Sequence, residues 1–138
     1  MIVVDTNVVS EAVAPRPCTK VLDWMGQVPP AELFTTAITE AELLFGVALL
    51  PDGRRRRSLE GLIAGVLYED FAGRILPFDS AAARVFAEIG LARRRAGRPI
   101  SDPDAWIAAI ARSRGASVAT RNIADFDGCG VTLIDPWR

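Results

Sequence analysis

The chain has 138 residues, half of them hydrophobic, enough for one buried core, and its formal charge of -1 excludes a global positive field that would advertise a polyanionic partner. Histidine is absent, which excludes a Ser-His-Asp triad, a Cys-His nucleophile, an imidazole acid–base pair and a His-bearing zinc site. Cys18 and Cys129 stand far apart and outside any C-x-x-C spacing, so no zinc cluster or redox motif is expected and both are read as free buried thiols in a reducing cytosol.

Ile2 to Val4 is a short β-branched run of the kind buried on both faces of a parallel sheet, and it stops at Asp5. It carries no basic region and no long apolar stretch, so neither a signal peptide nor a membrane span is expected and the protein reads as cytoplasmic. Asn7 to Ala14 predicts a helix ended by Pro15 and Pro17, and Lys20 to Gln27 a second before Pro29 and Pro30. Leu33 to Thr35 predicts a strand, with Thr36 or Thr39 capping a helix from Ile38 to Leu50. After Pro51-Asp52-Gly53, Leu59, Leu62, Ile63, Val66 and Leu67 space an amphipathic helix over 54–71. Arg74 to Phe78 predicts an edge-like strand, Asp79 or Ser80 caps a helix to about Ala96, and Gly97 ends it. A helix opening at Ser101-Asp102-Pro103-Asp104 runs to about Ser113, and strands follow over 117–120 and 131–134. Alternating strands and helices without repeat or linker argue for a single α/β domain over 1–138 with a mainly parallel sheet.

In such sheets the functional crevice lies beyond the carboxyl ends of the strands. Asp5 follows the first strand, Thr120-Arg121-Asn122 the fourth, and Asp104 opens the helix leading into it. Each has an ordinary reading: Asp5 as a helix cap, Asp104 as part of a capping box with Ser101, Asn122 as a turn residue. On the third helix Ile38, Ala41, Phe45 and Leu49 define a face near the Glu42 row, so one acid is expected to point inward, either Glu40 or Glu42 on periodicity alone. A buried carboxylate needs a cation, and the chain has a single lysine, Lys20. Mg²⁺, which takes carboxylate and water oxygens at about 2.0–2.1 Å, is an economical partner. The arginines cluster at Arg54 to Arg57 and at Arg93, Arg94, Arg95 and Arg98, either as a phosphate-gripping rim or as solvated helix faces.

Four segments in order, Ile2-Val3-Val4-Asp5-Thr6-Asn7, Ala41-Glu42-Leu43 to Gly46, Ser101-Asp102-Pro103-Asp104-Ala105 and Thr120-Arg121-Asn122, together resemble the signature of PIN-domain toxins of the VapC type. Phe71 to Asp79 and Asp135-Pro136-Trp137 resemble the FitB-like branch, and the likeness covers essentially the whole chain. The resemblance implies a PIN-like α/β/α sandwich, a Mg²⁺- or Mn²⁺-dependent ribonuclease of a type II toxin–antitoxin system, metal ligation by Asp5, Glu42 and Asp104, a cognate antitoxin and a homodimer. It selects Glu42 over Glu40.

At the fourth acidic position of the pattern stands Asn122, with Asp125 three residues on. Asn can bind a metal-held water or a phosphate oxygen but cannot act as an anionic ligand, which weakens a second metal site. The expected chemistry is in-line attack of a metal-activated water on an RNA phosphodiester, leaving a 5′-phosphate, with Thr6 and Thr120 holding carboxylates and Arg98, Arg121 or Arg93 to Arg95 offsetting phosphate charge. Haloacid-dehalogenase-type phosphatases share the opening but need a second Asp where Asn7 stands, and a receiver domain needs a late lysine. The alternative is a non-catalytic protein- or nucleic-acid-binding module on the same scaffold. Trp24, Leu44, Phe45, Val47 and Leu50 are shared between core and a possible interface.

Overall fold

The computed structural model describes residues 1–138. Five parallel strands lie in the order β3-β2-β1-β4-β5: β1 Ile2–Val4, β2 Leu33–Thr36, β3 Ile75–Leu76, β4 Ser117–Ala119 and β5 Leu133–Ile134. The helices are α1 Thr6–Ala12, α2 Thr19–Gln27, α3 Ala37–Ala48, α4 Arg54–Gly65, α5 Ser80–Arg95, α6 Asp102–Ser113 and the short α7 Ile123–Phe126.

Neighbouring residues of one strand serve opposite faces, as the pleat requires. Val3 and Val118 join a core with Ile89 of α5 and Ile107 and Ile110 of α6. Val4 and Ala119 join the other, with Val8 and Val9 of α1, Leu43 of α3 and Ile63 of α4. The result is the α/β/α sandwich with a parallel sheet that the alternation of elements predicts. Each fully covered strand is correspondingly apolar, and the core side chains Val3, Val4 and Val118 have no solvent exposure.

Caps set the helix starts that matter for function. Thr36 accepts from the Thr39 amide to open α3, Asp79 from Ala82 to open α5, and Ser101 from Asp104 to open α6 with Pro103 in its first turn. The amphipathic stretch expected over 54–71 is helical throughout but widens into a π-helical turn over Val66–Asp70, closed by the Phe71 amide on the Val66 carbonyl at 2.9 Å. Arg74 begins no strand; its guanidinium instead donates to the carbonyls of Pro30, Leu33 and Asp70, tying β3 to the turn before β2. No helix is long and apolar enough to cross a membrane.

The chain proceeds from β1 outward to β2 and β3, then returns so that β4 lies on the other side of β1. This reversal leaves a crevice beyond the carboxyl ends of β1 and β4, the place where open α/β sheets bind their ligands.

Candidate metal and phosphate site

Asp5 and Thr120 are the first residues past the two strands that flank the reversal. The β1 ladder continues into Asp5, whose amide donates to the Ala119 carbonyl at 2.9 Å, and that of β4 into Thr120, whose amide donates to Ile134 at 2.9 Å. Both side chains are therefore held by sheet hydrogen bonds up to the residue that faces the crevice. Asp5 also caps α1: one carboxylate oxygen accepts from the Thr6 amide at 2.7 Å and the other from the Thr120 hydroxyl at 2.8 Å. The capping and functional readings of Asp5 thus coexist in one side chain.

Thr120 is saturated in turn. Its Oγ1 accepts from the Asn122 amide at 3.0 Å and from Asn7 Nδ2 at 3.4 Å, while Asn7 Oδ1 accepts from the Arg121 backbone amide at 3.4 Å. Thr6 does the same work on the other side, donating to Glu42 Oε1 at 2.8 Å and lying 3.0 Å from the Thr39 hydroxyl. The two hydroxyls expected to steady carboxylates are thus bonded to Asp5 and to Glu42.

Asp5, Glu42 and Asp104 line one cavity of about 470 Å³ together with Thr6, Asn7, Arg121 and Asn122. Asp5 is only 3% exposed, and burial above all pushes its carboxyl from 3.8 up to about 6, with the charges of Asp104 and Glu42 adding to the rise and the Thr120 and Thr6 hydrogen bonds opposing it. Burial likewise raises Asp104, against the pull of the Ser101 hydroxyl, with Asp125 adding and Arg93 opposing. None of the three carboxylates forms an ion pair; every salt bridge in the molecule joins other residues. In this arrangement the side chains share a cavity without converging on a single ligation point. The donor set nonetheless fits a hard cation: carboxylate oxygens only, one of them buried, and none held in a salt bridge.

Three sequence expectations change. Glu42 is not an inward-facing acid but an exposed one. The stripe of α3 that packs inward is Thr39, Leu43 and Val47, whereas Phe45 and Leu49 are 66% and 69% exposed. Glu42 lies one step round the helix from Leu43, at the stripe's edge, and that is why it reaches the crevice. Glu40 faces away and accepts from the Tyr68 hydroxyl at 2.8 Å. The buried acid that needs a cation is Asp5.

Arg93 is not part of a phosphate rim. It is 6% exposed and its guanidinium donates to the carbonyls of Arg98 at 2.6 Å, Asp125 at 2.9 Å and Asp127 at 2.5 Å, so it staples the segment after Asn122 to α5. Arg98 does not reach the acidic cavity: it pairs with Asp127 at 3.1 Å, donates to the Ala124 carbonyl and lines a neighbouring cavity. Asp125 lines that neighbouring cavity too and does not replace Asn122, which faces the acids.

The thiols are unpaired as expected, with Cys129 buried and Cys18 only partly so. Of the residues shared between core and surface, Val47 is buried, Trp24 and Leu50 pack on the core, and Leu44 and Phe45 stay exposed. Ser10, Glu11 and Trp137 also line the acidic cavity and escaped the sequence reading. Ser10 and Glu11 follow Asn7 at helical spacings of three and four, a signal that was available.

Residues 2–127 match the PIN domain family. The "VapC ribonuclease Y4jK" of Sinorhizobium fredii is 40% identical over 138 residues, 100% of this chain and 99% of that one. The "Toxin FitB" of Neisseria gonorrhoeae is 38% identical with the same coverage. The crystal structure of FitAcB from Neisseria gonorrhoeae superposes with a TM-score of 0.93 at 38% identity, covering 100% of this chain and 99% of that one.

Proposed function

As the chain belongs to the PIN-domain family, on the branch of VapC- and FitB-type proteins, we propose that it is a divalent-metal-dependent endoribonuclease and the toxin of a type II toxin–antitoxin pair. The observation that carries this reading is Asp5: a carboxylate 3% exposed, without a cationic partner, in one cavity with Glu42 and Asp104. An enzyme without histidine has no imidazole to move a proton, so its charge and proton chemistry falls to carboxylates and a hard ion.

Asp5, Glu42 and Asp104 are the residues that would hold Mg²⁺ or Mn²⁺. A bound divalent ion supplies charge neutralisation at the phosphate and an activated water for in-line displacement. The chain itself does the positioning. Thr120 and Thr6 fix the oxygens of Asp5 and Glu42 that they bond, leaving the remaining lone pairs to the cavity. Asn122, neutral and exposed at the same wall, hydrogen-bonds a phosphate oxygen without adding charge. Arg121 is the cation of the cavity and offsets phosphate charge.

A nuclease acting on its own cell's RNA must be held off until needed, which is the role of the proposed cognate antitoxin. The exposed apolar side chains Leu44 and Phe45 of α3 and Leu49 at its C-cap are the proposed contact face for a second copy in a homodimer. Residues 1–138 are proposed to act as one PIN domain in the cytoplasm. The test is cleavage of single-stranded RNA by protein supplied with Mg²⁺. Activity is expected in the wild type and lost on Asp5→Asn, on Asp104→Asn and with EDTA; full activity in either variant or in EDTA removes the proposal. Failure of the wild type to bind Mn²⁺ by titration calorimetry favours a non-catalytic binding module on the same scaffold.

A further inference from the structure

One wall of the acidic cavity is unlike the rest. Trp137 is the only apolar side chain lining it, and the ring is held rather than free. One side packs against the core under α1 to α4, the indole N–H donates to Glu11 Oε1 at 3.4 Å, and the Trp137 amide donates to the Asp135 carboxylate at 3.0 Å. Over the ring lies the guanidinium of Arg121, 5.2 Å from the centroid.

Arg121 differs from the arginines beside it. Arg98 is paired with Asp127 and Arg138 with Asp135, whereas Arg121 is exposed, has no carboxylate partner and borders both the acidic cavity and the one next to it. A planar cation fixed on an indole beside a phosphate-scale cavity offers two things to a nucleotide: a charge for the phosphate and a flat surface for the base. Single-stranded nucleic acids are bound by stacking of bases on aromatic rings and on arginine planes, which a duplex with its bases already stacked does not offer.

The geometry points to the Trp137–Arg121 pair as the subsite for the nucleobase flanking the scissile phosphate. The inference rests on the ribonuclease reading for its substrate but not for its test. Binding is measured by fluorescence anisotropy of a labelled six-nucleotide single-stranded RNA in EDTA, where no cleavage occurs. Arg121→Lys keeps the charge and removes the plane, so its affinity is expected to fall about 5- to 150-fold, the range one base stack carries, while the salt dependence of binding stays as in the wild type. Trp137→Phe retains most of the affinity and Trp137→Ala loses it to the same extent as Arg121→Lys. Replacing one base at a time by an abasic site identifies a position that weakens the wild type and has no further effect on Trp137→Ala.

Arg121→Lys binding like the wild type, or every abasic position weakening Trp137→Ala as much as the wild type, overturns the subsite. Arg121 is exposed, so Arg121→Lys reports on the site even if Trp137→Ala disturbs packing. A wild type that binds this RNA with the expected dependence on Arg121 and Trp137 but cleaves nothing in Mg²⁺ sinks the nuclease reading and keeps the subsite.

Discussion

Asp5→Asn should make the metal-free protein more stable at neutral pH while removing its function. The folded carboxyl titrates near 6 and the unfolded one near 3.8, so between these values the folded state holds more protons. Stability therefore falls as pH rises through that window and the loss is complete above it. At about 1.4 kcal/mol per pH decade the displacement is worth about 3 kcal/mol. Asn stays neutral throughout, so the difference in unfolding free energy between Asp5→Asn and wild type should widen in the variant's favour by about 3 kcal/mol from about pH 3.5 to pH 7. Other acids, Asp104 among them, titrate in both proteins and largely cancel in the difference. The assay is denaturant unfolding in EDTA across this range. Mg²⁺ should then stabilise the wild type alone, by about 2.7 kcal/mol at a hundred times its dissociation constant. A gap that stays flat with pH, or that widens in favour of the wild type, refutes the argument that Asp5 is a buried charge waiting for a cation.

Thr120→Val removes the hydroxyl that bonds Asp5 and strands the Asn122 amide, so Mn²⁺ affinity by titration calorimetry should drop about 10- to 100-fold; unchanged affinity would show the hydroxyl to be irrelevant. Arg93→Met leaves three backbone carbonyls unpaired and should cost at least about 3 kcal/mol in denaturant unfolding. Arg98→Ala, losing an exposed ion pair, should cost less than about 1 kcal/mol, and equal losses would mean that Arg93 is no staple. Phe45→Glu with Leu49→Glu should convert a dimer into a species of the 14.9 kDa chain mass in light scattering, with unchanged circular dichroism; a wild type already at that mass ends the dimer proposal.

Element order and the position of Asp5 were legible because each rests on a local rule: an apolar β-branched run ending at a polar residue, and proline or glycine at helix ends. Asp104 was legible for the same reason, through Ser101 and Pro103. What was not legible depends on which face of a helix meets the sheet. On α3 two apolar stripes compete, Thr39-Leu43-Val47 and Ala41-Phe45-Leu49, and the less hydrophobic one packs inward, with Leu43 and Val47 in the core beside Val8 and Val9 of α1. Periodicity alone ranks the stripes the other way and so misjudges Glu42. Arg93 shares its run with Arg94 and Arg95, and only the fold reveals that it turns toward the carbonyls after Asn122. Trp137 reaches the cavity because β5 sits next to β4 and the chain turns back at Pro136 toward α1; no motif announces such a closure.

The proposed chemistry requires Asp5, Glu42 and Asp104 to act on one ion. Anomalous diffraction from crystals soaked in Mn²⁺ reads this directly. The expected result is a peak in the cavity beyond β1 and β4 at ligating distance from oxygens of all three side chains, absent in Asp5→Asn crystals. Mn²⁺ bound elsewhere, or a peak that persists unchanged without the Asp5 carboxylate, would contradict it.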